Sequence, residues 1–216
     1  MATETSTLHY IYDPLCGWCY GAAPLIEAAR SIAGLNIVPH GGGMMAGSNR
    51  QPVTDALRRY VMPHDERIAG LTGQTFGKDY FDGLLRDAGA VFDSEPPITA
   101  ILAAQTLDGR GLALLHRVQR AHYVEGLRIA DPAVLHTLAA EIGLDPDAFA
   151  AAYAAASGAA TAEHIAASRQ LLAQVGGTGF PTLALERGGA YTLLEPSRFL
   201  GRPAQWQADL RARIKG

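Results

Sequence analysis

The first patterned stretch, Leu8-His9-Tyr10-Ile11-Tyr12, is rich in strand-forming residues and is stopped by Asp13-Pro14, so it predicts a short strand. Ala22 to Arg30 follows with good helix formers, with Leu25, Ile26 and Ala29 on one side and Gly34 as a stop signal. Leu35-Asn36-Ile37-Val38-Pro39 reads as a second strand that runs into Gly41-Gly42-Gly43. Strand, helix and strand at this spacing match a βαβ unit of about 30 residues or more.

From Gln51 to about Gly176 the pattern predicts one helix after another. Ile98, Ile101 and Leu102, then Leu112, Leu115 and Val118, then Leu135, Leu138 and Ile142 recur at three- and four-residue spacing, which makes apolar faces that pack as a helical layer. Asp131-Pro132 and Asp145-Pro146 each place a capping acid before a proline suited to a first helical turn. The alanine-rich run from Ala148 to Ala167 predicts two helices broken near Ser157-Gly158. Strand character returns in Thr182 to Glu186 and Ala190 to Leu194, joined by Arg187-Gly188-Gly189, a hairpin link. A last helix is expected after Pro196, starting near Ser197 or Pro203 and ending at Ile214.

Composition narrows the class. A chain of 216 residues with 48% hydrophobic content is long and apolar enough to bury a proper core. With 18 Lys and Arg against 21 Asp and Glu, the formal charge of -3 gives no electrostatic reason to expect nucleic acid or an anionic membrane as partner. No apolar run is long enough to span a bilayer. The opening Met1 to Thr7 has neither basic residues nor an apolar core of a secretory signal, so the expected location is the cytoplasm.

The chain has 2 cysteines, Cys16 and Cys19, in the run Cys16-Gly17-Trp18-Cys19. A structural disulfide framework needs more cysteines, more widely spread, so a close pair points to chemistry. At the first turn of a helix, Cys16 would aim its sulfur at unpaired N–H groups and the positive end of the helix dipole, which favours the nucleophilic thiolate. Cys19 would lie one turn inward on the same face, within reach of a disulfide. A CxxC is also half of a zinc site; His116 and His122 are the nearest second half, but they are distant and spaced at the upper limit, so redox is the preferred reading and no metal is expected.

The second informative stretch, Gly176-Gly177-Thr178-Gly179-Phe180-Pro181-Thr182, joins the last inserted helix to the hairpin; by itself it is open to a plain turn reading. Taken together, Asp13-Pro14-Leu15-Cys16-Gly17-Trp18-Cys19-Tyr20-Gly21, the helical insertion, and Gly179-Phe180-Pro181-Thr182 before a hairpin resemble the DsbA-like branch of the thioredoxin superfamily. The resemblance implies an α/β, thioredoxin-like fold with a large helical insertion, in which residues 1–45 and 176–216 form the thioredoxin-like unit and 46–175 the inserted domain. It implies that Cys16 is an exposed nucleophile, Cys19 its buried resolving thiol, and Pro181 a cis-proline beside the disulfide. A cis bond there would turn the Phe180 backbone toward an extended substrate peptide.

The implied activity is thiol–disulfide exchange on protein or peptide disulfides, as reductase or isomerase, with no bound cofactor. A thiol reductant completes the cycle, and glutathione is the candidate reductant or co-substrate. Gly17-Trp18 lacks a histidine between the cysteines, so strong oxidising power does not follow. Family potentials span roughly -270 to -120 mV, and the sequence does not place the chain among them. Trp18 either covers the sulfurs and meets an apolar substrate or only packs. Asp13 either relays the proton of the resolving thiol or caps a turn. The run His40 to Met45 either lines the active face or serves as a flexible connector. Tyr12 and Tyr20 either line a substrate groove or belong to the core, and Glu27 is expected on a solvated face. Two alternatives stand beside this reading. Kappa-class glutathione transferases and 2-hydroxychromene-2-carboxylate isomerases are similar in arrangement but generally carry serine at the first motif position; the other alternative is a non-catalytic, chaperone-like peptide binder.

Overall fold

The structure, a computed structural model, describes residues 6–215; of the opening segment read for a leader, residues 1–5 lie outside the described residues. Strand β1 (Ser6–Tyr12), helix α1 (Gly17–Arg30) and strand β2 (Leu35–Gly41) form the right-sized βαβ unit, with β1 and β2 parallel from Ser6↔Leu35 to Tyr12↔Gly41. The helix reaches back beyond Ala22 to include the cysteine motif, with Cys16 as its N-cap. Strands β5 (Thr182–Arg187) and β6 (Ala190–Leu194) make the expected hairpin, and β5 runs antiparallel to β1. The sheet order is β2-β1-β5-β6.

β1 is buried on both faces, and its period of two splits it between two layers. Leu8, Tyr10 and Tyr12 join the core with Leu25, Ile26 and Ala29 of α1, while Ile11 packs with Ala184 and Val175 on the opposite side. Helix α8 (Pro203–Lys215) completes the first layer: Trp206 and Leu210 are buried, and Gln207 Nε2 donates to the Ala28 carbonyl at 3.0 Å. Helix α7 (Ala159–Gln174) covers the other face of β2, so the sheet is sandwiched.

The segment between β2 and β5 also carries α2 (Asp55–Thr72), α3 (Glu95–Asp108), α4 (Gly111–Tyr123), α5 (Pro132–Glu141) and α6 (Pro146–Ala156). The two acid-proline starts behave as capping chemistry requires: Asp131 accepts from the Ala133 N–H at 3.0 Å and Asp145 from the Ala148 N–H at 2.9 Å. α6 and α7 are the helix pair, broken at Gly158, where φ is +71°. Ile98, Ile101, Leu115, Val118, Leu135 and Leu138 are all buried in this layer.

The expectation of unbroken helices from Gln51 needs correction. Gly73, at φ +73°, ends α2, and the chain up to α3 is a π-helical turn, a 3₁₀ turn and the short strand β4 (Val91–Phe92), which pairs with β3 (Gln51–Pro52). Gly77 explains part of this irregularity: a Cβ there would stand 1.9 Å from the Val124 carbonyl oxygen, so the backbone is pressed against the end of α4. Among the described residues no helix is long and apolar enough to cross a membrane.

Candidate active site

Three loops meet at the N-terminus of α1. Asp13 closes a turn by accepting the Cys16 N–H on its carbonyl at 3.2 Å, and Cys16 in turn accepts the N–H groups of Cys19 and Tyr20 on its own carbonyl at 3.0 and 3.1 Å. Cys16 thus caps the helix through its main chain. Its sulfur makes no capping bond to the first-turn N–H groups, contrary to the simplest expectation, and instead donates toward the Phe180 carbonyl at 3.4 Å. The dipole of α1 still ends at this residue. Phe180-Pro181 is a cis peptide, and the Cys16–Phe180 contact sets the two motifs read from the sequence against one another.

Both cysteines are free thiols. Cys19 has no exposure, and burial, followed by the nearby Cys16 sulfur, pushes its thiol well above the ordinary range, while a main-chain hydrogen bond from Asp13 opposes the shift. Cys16 is 6% exposed and does not stand on open surface as expected. It is reached through a cavity of about 280 Å³ that it lines with Gly17, Trp18, Met44, Asp65 and Tyr123. A second cavity of about 320 Å³ lies along Phe180, Pro181 and Thr182, and Trp18 lines both. Trp18 therefore forms a wall between the two cavities, and the Arg67 guanidinium lies 5.9 Å from its ring centroid.

Asp13 is fully buried and accepts three hydrogen bonds: Leu15 N–H at 2.9 Å and Ser94 hydroxyl at 3.0 Å on Oδ1, and Met44 N–H on Oδ2. Burial pushes its carboxyl up to about 6 against the pull of these donors and of the Arg169 charge. These bonds correct the flexible-connector view of His40 to Met45. The loop is held by Asp13 and Ser94 on one side and by α7 on the other, where Arg169 donates to the carbonyls of Gly42 at 2.8 Å and Gly43 at 2.6 Å and His164 accepts the Gly41 N–H at 2.9 Å. Gly42 must lack a side chain, because a Cβ there would stand 2.1 Å from the Phe180 ring.

Tyr12 and Tyr20 are core residues, at 1% and 5% exposure, and Glu27 is exposed and pairs with Arg30. His122 is buried among Tyr80, Phe92 and Tyr123, with neither ring nitrogen bonded, and burial lowers it to about 3. No group of three or more His, Cys, Asp or Glu among the described residues is arranged to hold a metal ion. Sequence reading missed Asp65, Ser94 and Arg169. Each sits on or beside a helix, where charged and hydroxyl residues are common, so only the tertiary fold shows that Asp65 lines the Cys16 cavity and that Ser94 and Arg169 hold Asp13 and the glycine loop.

A search of curated proteins finds no significant match. Among solved structures, the cytosolic disulfide reductase DsbM from Pseudomonas aeruginosa is 58% identical over 97% of this chain and 98% of its own, with a TM-score of 0.92. The same reductase with glutathione (GSH) gives 56% identity over 97% and 100%, with a TM-score of 0.91. A candidate protein disulfide isomerase from Nitrosomonas europaea is 26% identical over 99% and 100%, with a TM-score of 0.81. The family model for the DSBA-like thioredoxin domain matches residues 7–201, and the chain belongs to that family.

Proposed function

We propose that this thiol–disulfide oxidoreductase works as a reductase of protein disulfides in the cytosol, with Cys16 as nucleophile, Cys19 as resolving thiol and glutathione as the regenerating thiol. The observation that carries the reading is the Cys16 sulfur 3.4 Å from the carbonyl of a cis Phe180-Pro181 unit, with Cys19 buried behind it. The direction and the glutathione assignment are supported by the 58% identical cytosolic reductase and by its glutathione-bound form.

The Cys16 thiolate attacks one sulfur of the substrate disulfide, forming a mixed disulfide and releasing the other substrate sulfur as a thiolate that takes up a proton. Cys19 then gives up its proton and attacks the Cys16 sulfur. The intramolecular disulfide forms, and the second substrate sulfur leaves. Two substrate thiols have been gained and the enzyme pair has been oxidised by two electrons, which two glutathione thiols return as glutathione disulfide. The elevated Cys19 thiol suits the waiting role, since it stays protonated until the mixed disulfide draws it in.

Trp18, Phe180 and Pro181 hold the substrate segment beside Cys16. Asp13 supports the pair by fixing Leu15, Met44 and Ser94 around it with its carboxyl and by meeting Cys19 through its main chain. On this reading residues 1–45 and 176–216 carry the chemistry, and 46–175 walls the cavity. Conjugation of glutathione to an electrophile would use one sulfur or hydroxyl and leaves no task for Cys19.

The test is reduction of insulin with glutathione, glutathione reductase and NADPH as the electron source. The wild type is expected to turn over and Cys16→Ser to show only the background rate. Equal rates for the two proteins would remove Cys16 from the mechanism, and turnover with dithiothreitol but not glutathione would remove glutathione.

A further inference from the structure

Asp65 is a buried carboxyl that the exchange steps above do not use. It lies on α2 at 4% exposure and lines the same cavity as Cys16. Its position depends on glycine in the cysteine motif. A Cβ on Gly17 would stand 2.6 Å from Asp65 Oδ1 and 3.0 Å from Ile68 Cδ1, and one on Gly21 would stand 2.7 Å from Ile68 Cγ2. Two glycines one turn apart thus let α2 settle on α1 and bring a carboxylate against the residue that follows the nucleophile.

Tyr80 donates to Asp65 Oδ2 at 2.8 Å, and no ion pair to Asp65 is formed among the described residues. The ionisable groups lining the cavity with it are Tyr80 from the π-helical turn, Tyr123 from α4 and Cys16 at the start of α1, with His64 and Tyr60 of its own helix. Tyr123, on the wall of the same cavity, is raised by burial first and then by Tyr80, Asp65 and the two cysteines. Burial pushes the Asp65 carboxyl up to about 7 and the Tyr80 bond pulls it down, so its charge appears near neutral pH.

We propose that Asp65 is a positioning residue for charge: its carboxylate, seated on Gly17, disfavours the Cys16 thiolate and so holds the Cys16/Cys19 couple toward the disulfide, which makes the protein a stronger reductant. The physical basis is an asymmetry between the two redox states. A fixed negative charge raises the energy of a nearby thiolate, and it leaves a neutral disulfide unchanged. The couple therefore gives up electrons more readily. The inference rests on the reductase reading and adds the group that sets its direction.

The experiment is equilibration of the purified full chain with glutathione buffers at pH 8.5, where Asp65 is ionised, for wild type, Asp65→Asn and Tyr80→Phe. Asp65→Asn is expected to shift the equilibrium at least about threefold toward the dithiol, which is about 14 mV for a two-electron couple. Tyr80→Phe, which removes the hydrogen bond and keeps the charge, is expected to match the wild type. An unshifted Asp65→Asn, or an equal shift in Tyr80→Phe, would overturn the proposal. Should Asp65→Asn fail to fold, alkylation of Cys16 in Cys19→Ser decides: a two-step rate profile between pH 6 and 9 is expected, and a single ionisation curve would overturn it. Insulin reduction by the wild type separates the two levels. An active wild type with an unshifted Asp65→Asn sinks only the role of Asp65, whereas an inactive wild type sinks the reductase reading.

Discussion

Gly42→Ala tests how the two motifs are held together. The new methyl would lie 2.1 Å from Phe180 Cε1 and 2.2 Å from Cζ, whereas ordinary contact begins at 3.4 Å, so one partner must move by more than 1 Å. The Gly42 side is fixed, because its carbonyl accepts from Arg169 and its N–H donates to the Tyr12 carbonyl at 2.7 Å. Phe180 must therefore give, and where its ring has no room to turn, its main chain shifts and displaces the carbonyl that lies 3.4 Å from the Cys16 sulfur. Overpacking of this kind costs about 1–3 kcal/mol, and at about 2 kcal/mol a chain of this size melts roughly 4–8 °C lower. Insulin reduction is expected to fall about tenfold, equivalent to about 1.4 kcal/mol in the barrier. Thermal melting and steady-state kinetics of Gly42→Ala, Phe180→Ala and the double variant complete the cycle. With the ring gone the methyl has room, so the double variant should be no less stable than Phe180→Ala, within about 0.5 kcal/mol. Losses that simply add would refute the contact as the cause.

Two further predictions concern the loop behind the dithiol. Arg169→Ala removes charged hydrogen bonds to two carbonyls, at a cost of about 1.5–3 kcal/mol, and should raise amide hydrogen exchange across residues 41–45; unchanged exchange there would mean that α7 does not hold the loop. Asp13 has a folded value of about 6, above the ordinary carboxyl range, so the folded state binds more protons than the unfolded state between roughly pH 4 and 6, and its contribution to stability declines as pH rises through that window. Urea unfolding should therefore show the penalty of Asp13→Asn to be larger near pH 4.5 than at pH 7, by about 2 kcal/mol; a penalty that grows with pH would contradict the burial-driven shift.

The parts of the fold legible in the sequence are those where a local rule and the tertiary context agree. β1, β2, the closing hairpin and the capped starts at Asp131 and Asp145 fall where strand propensity, glycine links and N-cap chemistry place them. The region between α2 and α3 was illegible because its path is set by contact at a distance, with Gly77 pressed on the end of α4 and β3 paired to β4 across about forty residues. The site divides the same way. Cys16 and Cys19 carry a short-range signal, and the Phe180-Pro181 stretch gains meaning from family resemblance. Asp65, Ser94 and Arg169 have no such signal, since what distinguishes them is tertiary: Asp65 and Ser94 are buried, and Ser94 and Arg169 hydrogen-bond to the loop after β2 from separate helices. The near-burial of Cys16 was hidden for the same reason: Met44, Trp18 and, from the insertion, Tyr123 line the cavity around it only in the tertiary fold.

The most direct measurement is intact-protein mass spectrometry after mixing a disulfide-containing peptide with Cys19→Ser and, separately, Cys16→Ser. A stable covalent adduct of one peptide thiol on Cys19→Ser, absent from Cys16→Ser, is the predicted result. An adduct carried by Cys16→Ser, or by neither protein, would contradict the assignment of Cys16 as the attacking sulfur.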